Sequence, residues 1–273
     1  MTAFVAPIRR KSAGRSHYYV DGAGTRMPGV TTILGAGVPK KALIDWAANA
    51  TADYAVNNWE TLGDLAVAAR LNKLRKARYE ERDAAANRGT QVHALAEQLV
   101  RGDTVSVPEE LRGHVESYVR FLDLFDAEPV LIEFVVASYR FGYAGTADLI
   151  ADLVMPGETD PVRWLLDIKT NRSGVYGETA LQLAAYRHAD VYLDADGAEQ
   201  PMIPVERAGV VHVRADGFSL VPVTADQAQL RTFRYVQQIA AFVDESPALI
   251  GAPIDPPDAD GEIARVVYER PTL

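Results

Sequence analysis

The stretch FGYAGTADLIADLVMPGETDPVRWLLDIKT, which begins at Phe141 and ends at Thr170, constrains this chain more than any other. Two apolar runs, residues 143–154 and 162–169, flank MPGETDP, whose prolines and glycine read as a turn, so two neighbouring strands are predicted. Side chains alternate faces along a strand. Asp167 and Lys169 therefore point one way, while Leu166 and Ile168 point the other. Asp148 sits on the preceding strand, just past Gly145. Two acids and a lysine are thus presented at one edge of a sheet whose opposite face is apolar. A hard cation held between the acids explains that placement. Solvated strand ends joined by a salt bridge explain it too.

The neighbouring segments say what the strand pair belongs to. A strand is predicted over residues 130–138, and after an interruption at 174–177 a helix runs over 178–193. Strands follow at 209–214 and 218–223, joined through Ala215, Asp216 and Gly217, and an amphipathic helix spans 225–244. Upstream the pattern is helical, over 39–59, 64–81, 84–100 and 108–125, with short strands at 18–20 and 30–34. This order predicts an α/β fold, a mixed central sheet of about five strands flanked by helices. With 273 residues the chain suits one large domain or two small ones. We divide it into an N-terminal helical elaboration, 1–83, serving as a cap or channel wall, a core, 84–245, and a proline-rich tail, 246–273.

Composition narrows the chemistry. The sequence has no cysteine, so disulfides, thiolate catalysis and cysteine-ligated zinc or iron–sulfur centres drop out. A net charge of −9 argues against coating nucleic acid through bulk positive charge. It leaves room for an enzyme that holds metal with acids and offers a local basic channel. The densest basic stretch holds Arg70, Lys73, Arg75, Lys76 and Arg78. It reads either as a nucleic-acid-binding wall or as a solvated helix face paired with Glu80, Glu81 and Asp83. No run of about 18 apolar residues is present, and MTAFVAPIRRKSAGRS lacks the apolar segment of a secretion signal. A cytoplasmic protein without a membrane partner is the expectation.

Asp148 and Asp167 offer the oxygen ligands that Mg²⁺ and Mn²⁺ prefer, and the Ile168 carbonyl adds another. Lys169 cannot be a ligand; its ammonium suits a phosphate oxygen or the charge of a phosphoryl-transfer transition state. His93 and Glu97 share one face of the helix predicted over 84–100, and together with Arg88 they could project toward the acids. Glu133, on the first strand of the sheet, faces either the cleft or solvent. Gln182 and Tyr186 share a helix face and can grip a phosphate backbone or hold the lysine. The set suits phosphodiester hydrolysis and has no evident job in acyl transfer.

Four motifs in this order, RGTQVHALAE from Arg88, GYAGTADLI from Gly142, LLDIKT from Leu165 and QLAAY from Gln182, resemble the PD-(D/E)XK nuclease superfamily. The match is to its RecB-like branch, which includes phage and CRISPR-associated exonucleases, and covers residues 84–215. The resemblance implies a restriction-endonuclease-like core and one or two Mg²⁺ or Mn²⁺ ions. It implies His93, Asp148, Asp167 and the Ile168 carbonyl as metal ligands, and Lys169 as the catalytic lysine. Gln182 and Tyr186 become the substrate-side pair, with Arg88, Glu97 and Glu133 secondary. Asp167 stands where many relatives carry Glu, which shortens the reach to the metal. The cysteines that hold an iron–sulfur cluster in some relatives are missing, and so is a nucleotide-binding loop.

A stand-alone DNA exonuclease in recombination, repair or phage DNA processing is the implied activity, favoured over an endonuclease. Its implied partners are a single-strand annealing protein or a separate helicase. Two alternatives stand beside it. One is a catalytically silent nucleic-acid or protein-binding module that keeps the nuclease fold; the presence of both acids and the lysine weighs against it. The other is a hydrolase of small phosphoesters, for which a long basic stretch has no use.

Overall fold

The computed structural model describes residues 7–13, 16–171 and 174–253. Three short strands come first, β1 (Arg9–Ala13), β2 (Ser16–Val20) and β3 (Arg26–Met27), and form a small antiparallel sheet of their own. Helices follow: α1 (Val30–Gly37), α2 (Lys41–Asn57), α3 (Trp59–Gly63), α4 (Val67–Val100) and α5 (Arg112–Leu124). Next are β4 (Glu128–Ser138), β5 (Tyr143–Val154), β6 (Pro161–Lys169) and α6 (Glu178–Arg187). The chain continues through β7 (Val191–Leu193), β8 (Glu199–Pro201), β9 (Arg207–Arg214), β10 (Gly217–Pro222) and α7 (Gln227–Glu245).

The large sheet has seven strands in the order β10-β9-β6-β5-β4-β7-β8. The β6–β9 pair is parallel and the other neighbours are antiparallel. Helices cover both faces, so the fold is mixed α/β. On one face Leu165, Ile150 and Val210 pack with Leu34 of α1, Leu183 of α6 and Phe233 of α7. On the other, Leu166, Ile168 and Trp164 pack with Tyr118 and Phe121 of α5 and Ala96 of α4. Each such fully buried side chain contributes roughly 1.5–3 kcal/mol through removal from water. The alternation read from LLDIK therefore holds: Leu166 and Ile168 enter the α5 side, and Asp167 faces α6.

The structure corrects four local expectations. The sheet exceeds five strands because the helix expected to reach residue 193 stops at Arg187, and Val191–Leu193 joins the edge of β4 instead. Valine, tyrosine and leucine there favour a strand, and the Asp194 carboxylate accepts the amides of Asp196 and Ala198 to close the turn into β8. Residues 30–34, β-branched enough to read as a strand, form α1. Val30, Ile33, Leu34 and Gly37 are buried at helical spacing there, and that burial overrides propensity. At Gly37 a β-carbon would lie 2.5 Å from the Val236 carbonyl oxygen, so only glycine lets α1 sit this close to α7.

The two helices expected over 64–81 and 84–100 are one helix of 34 residues, α4. Arg82 and Asp83 fill the expected break, and neither stops a helix as Pro or Gly would. Of the tail, residues up to 253 are described; a short 3₁₀ turn (Ser246–Leu249) follows α7, and residues 254–273 lie outside the described residues.

Candidate metal centre and cleft

Asp148 lies midway along β5, whose neighbour β4 runs antiparallel to it. The register of that pair shifts once, between Pro129 and Leu131, a bulge that sets everything after it. Ile132 then pairs with Leu149 and Phe134 with Ala147, which puts Glu133 opposite Asp148. Glu133 has a φ of 46°, in the left-handed region that a non-glycine residue enters only under constraint. An acid held in an unfavourable backbone conformation opposite another acid marks a site built for something other than stability.

His93 comes from α4 to complete the group. Ligand atoms of His93, Glu133 and Asp148 all lie within 4.8 Å of one another, a half-buried cluster able to coordinate a metal ion. His93 Nδ1 is 3.7 Å from Asp148 Oδ2 and 3.9 Å from Glu133 Oε1. Its Nε2 donates to the Ile168 carbonyl at 2.8 Å, and the Ile168 amide donates to Asp148 Oδ2 at 2.7 Å. The Ile168 carbonyl thus meets an imidazole N–H, the contact that fixes a ligating histidine with its other nitrogen aimed at the acids. Adjacent ligands of a six-coordinate ion with bonds near 2.1 Å lie about 3.0 Å apart, so these separations would suit one small divalent ion after a contraction of about 1 Å.

Asp167 is next to this group and only 2% exposed. Gln182 Nε2 donates to its Oδ1 at 2.7 Å, and Lys169 Nζ stands 2.7 Å from Oδ2. Oδ2 is buried, and the lysine ammonium is its ion-pair partner. A buried carboxylate is costly unless a cation takes it, and Lys169 does so here. The donor set beside this pair fits a hard divalent ion: the carboxylates of Glu133 and Asp148 and the His93 imidazole.

Charge is concentrated here. Burial pushes the Asp148 carboxyl up to about 7, with Asp167 adding to the rise and His93 and Lys169 opposing it. Burial works against the His93 imidazolium, but the carboxylates of Asp148, Glu133 and Asp167 outweigh it and raise His93 to about 9. Lys169 is raised above the ordinary lysine value; burial opposes its charge and Asp167 and Asp148 overcome that. Opposite charge, not solvent, keeps His93 and Lys169 protonated.

A cleft of about 370 Å³ opens beside the cluster. His93, Lys169 and Gln182 form one wall, and Thr31, Lys40 and Tyr176 lie in the same lining. Lys40 and Tyr176 were not singled out in the sequence. Lys40 stands at the start of the helix expected over 39–59 and Tyr176 in the interruption at 174–177, and only the packing of α1 and α6 against the sheet brings them to one cleft. Tyr176 is 44% exposed and lines the cleft.

The other expected site residues separate. Tyr186 is buried under Gly145, where a β-carbon would lie 2.4 Å from the tyrosine ring. Its side chain meets Gln182 inside the core and presents almost no surface to a substrate. Glu97 turns away from the cluster to pair with Arg101 at 2.6 Å. Arg88 is half-buried on α4 one residue before Gly89, which lines the cleft; Arg88 itself does not. The Arg70 guanidinium donates to the carbonyls of Leu62, Gly63 and Leu65, closing the turn from α3 into α4. Arg78 lies over the Tyr79 ring. Lys73, Arg75 and Lys76 are exposed on α4. The side chains of Glu80 and Glu81, expected to pair with them, lie outside the described residues.

Among the described residues no helix is long and apolar enough to cross a membrane. No protein-family model matches the chain, and no curated protein is significantly similar to it.

Proposed function

We propose that this chain is a divalent-metal-dependent deoxyribonuclease of the PD-(D/E)XK type, in its RecB-like branch, and acts as an exonuclease. The observation that supports this most is the convergence of His93, Glu133 and Asp148 from α4, β4 and β5 beside the Asp167–Lys169 pair of β6. Four elements distant in sequence bring the ligands and a lysine together, and His93 and Lys169 among them line one cleft. A structural role would not require that.

A bound Mg²⁺ or Mn²⁺ ion supplies Lewis acidity toward a phosphoryl oxygen and a nucleophile at neutral pH. His93, Glu133 and Asp148 would hold it, with Asp167, paired to Lys169, beside them. Gln182 orients Asp167, and Ile168 orients both His93 and Asp148 through its backbone. Lys169 stays protonated because the acids raise its pKa. It therefore acts by placing positive charge next to the reacting phosphate, not by removing a proton. Lys40 and Thr31 grip a neighbouring phosphate, and Tyr176 stacks on a base. A cleft of about 370 Å³ takes a strand end more readily than a whole duplex, which favours an end-dependent enzyme.

The test is digestion of a 5′-labelled linear duplex, the matching single strand and a closed circle with Mg²⁺, Mn²⁺ or EDTA. Wild type should degrade linear DNA in either metal, spare circles and stop in EDTA; Asp167→Ala and Lys169→Ala should be inactive. If metal is taken up but no nucleic acid is cut, the nuclease reading fails and a silent binding module replaces it. Cutting of circles would replace exonuclease by endonuclease.

A further inference from the structure

Helix α7 carries two apolar stripes. The inner one, Leu230, Phe233, Val236 and Ala240, is buried. The outer one is Tyr235, Ile239 and Phe242, with Val243 beside it, and these are 66, 51, 58 and 47% exposed. A surface helix needs one apolar face; a second, contiguous and unpartnered among the described residues, marks a binding surface. Its spacing alternates between four and three residues, the seam of a coiled coil, and small Thr232 and Ser246 continue the seam at either end.

One flank of that seam says what covers it. Arg231, Gln238 and Glu245 recur every seven residues along it, and all three are exposed. When two copies of α7 pack antiparallel about a two-fold axis, this flank meets itself reversed. Arg231 then faces Glu245 of the second copy at both ends, and Gln238 faces its own counterpart at the centre. Tyr235 packs against Phe242 of the second copy, and Ile239 lies near the axis. A parallel pair would set the same flank against Val236 and Val243 and leave both charges unmatched. The helix is self-complementary in one orientation only, as an isologous interface requires.

We propose that α7 is a self-association helix: two copies of this chain pair antiparallel through Tyr235, Ile239 and Phe242, with Arg231 of each against Glu245 of the other. The pairing is independent of the metal cluster, which lies on α4, β4, β5 and β6.

The test is light scattering and sedimentation equilibrium of the full chain over micromolar concentrations, with circular dichroism and Mn²⁺ uptake as fold controls. Wild type should show twice the chain mass of 29.8 kDa. Ile239→Glu, or Tyr235→Arg as a second variant, should be a folded monomer. Arg231→Glu and Glu245→Arg should each weaken the dimer by about tenfold or more, and the double variant should return to near wild type, since it restores opposite charges at both ends. A wild type that is monomeric throughout overturns the proposal, and so does a dimer indifferent to Ile239→Glu. Failure of the double variant to recover overturns the antiparallel register. If truncation after Pro253 turns a monomer into a dimer, the chain's own tail covers α7 and the proposal is wrong.

Discussion

The β5–β6 ladder carries an acid at each of two places, and their surroundings have opposite effects. Toward one end Asp152 pairs across the ladder with Arg163, whose Nε and Nη2 reach its two carboxylate oxygens at 2.8 Å each. That hydrogen bonding lowers the Asp152 pKa. Further along β5 Asp148 meets Glu133, His93 and the neighbouring Asp167, and burial raises it to about 7. Both side chains have the same parity on one strand. One acid has a guanidinium fork and is finished; the other is crowded with acids and needs a cation. A charged pair on a strand is therefore not informative alone, and the partner across the ladder separates a structural ion pair from a site.

Removing charge at the two ends is the sharpest way to break that contrast. Asp148→Asn should lower nuclease turnover by about 10²–10³-fold or more, whereas Asp152→Asn should leave it within about twofold; steady-state rates on linear DNA check both. Metal should act on the first end alone. Mn²⁺ at about a hundred times its dissociation constant should stabilise wild type by about 2.7 kcal/mol, and should stabilise Asp148→Asn far less, as read by thermal melts with and without EDTA.

Glu133 joins the contrast through its backbone. Glu133→Gly should raise the stability of the metal-free protein by about 1 kcal/mol by releasing the left-handed φ, yet weaken Mn²⁺ binding by about tenfold or more. Stability gained with affinity lost is the result that a merely structural Glu133 could not give. Glu133→Gln, which keeps the strain and loses the charge, should lose affinity without the gain.

The smallest effect belongs to the finished pair. Arg163 is 35% exposed, so solvent screening holds the pair to about 0.5 kcal/mol or less. The folded pKa of Asp152 lies below its unfolded value, so this contribution is complete above about pH 4 and fades as pH falls through the folded value. Denaturant titrations of wild type and Asp152→Asn should therefore differ slightly at pH 7 and converge in acid.

Much of the site could be read from the chain because its parts are local. Asp167 and Lys169 share a face by strand alternation, and Gln182 follows on the next helix; no long-range information is needed to place them. Glu133 was visible only as one of two options. Its direction depends on the bulge between Pro129 and Leu131, and a one-residue slip would send it to the other face of the sheet. Glu97 shares a helix face with His93 in sequence terms, but Arg101 one turn on offers a nearer partner and takes it. Tyr186 reads as a hydroxyl for a substrate, and the space left by Gly145 buries it instead.

The sequence by itself determined the central strand pair, the α/β class, the side of β6 on which Asp167 and Lys169 stand, and the ligand types. Periodicity, turn residues and side-chain chemistry act over a few residues and need no fold to be legible. Tertiary structure alone decided that α4 runs unbroken to deliver His93, that two edge strands extend the sheet, and that Glu133 completes the metal cluster in place of Glu97. It also placed Lys40 and Tyr176 at the cleft. Those outcomes depend on register, on close approach at single glycines and on competition among partners. Such quantities exist only once distant segments are packed together.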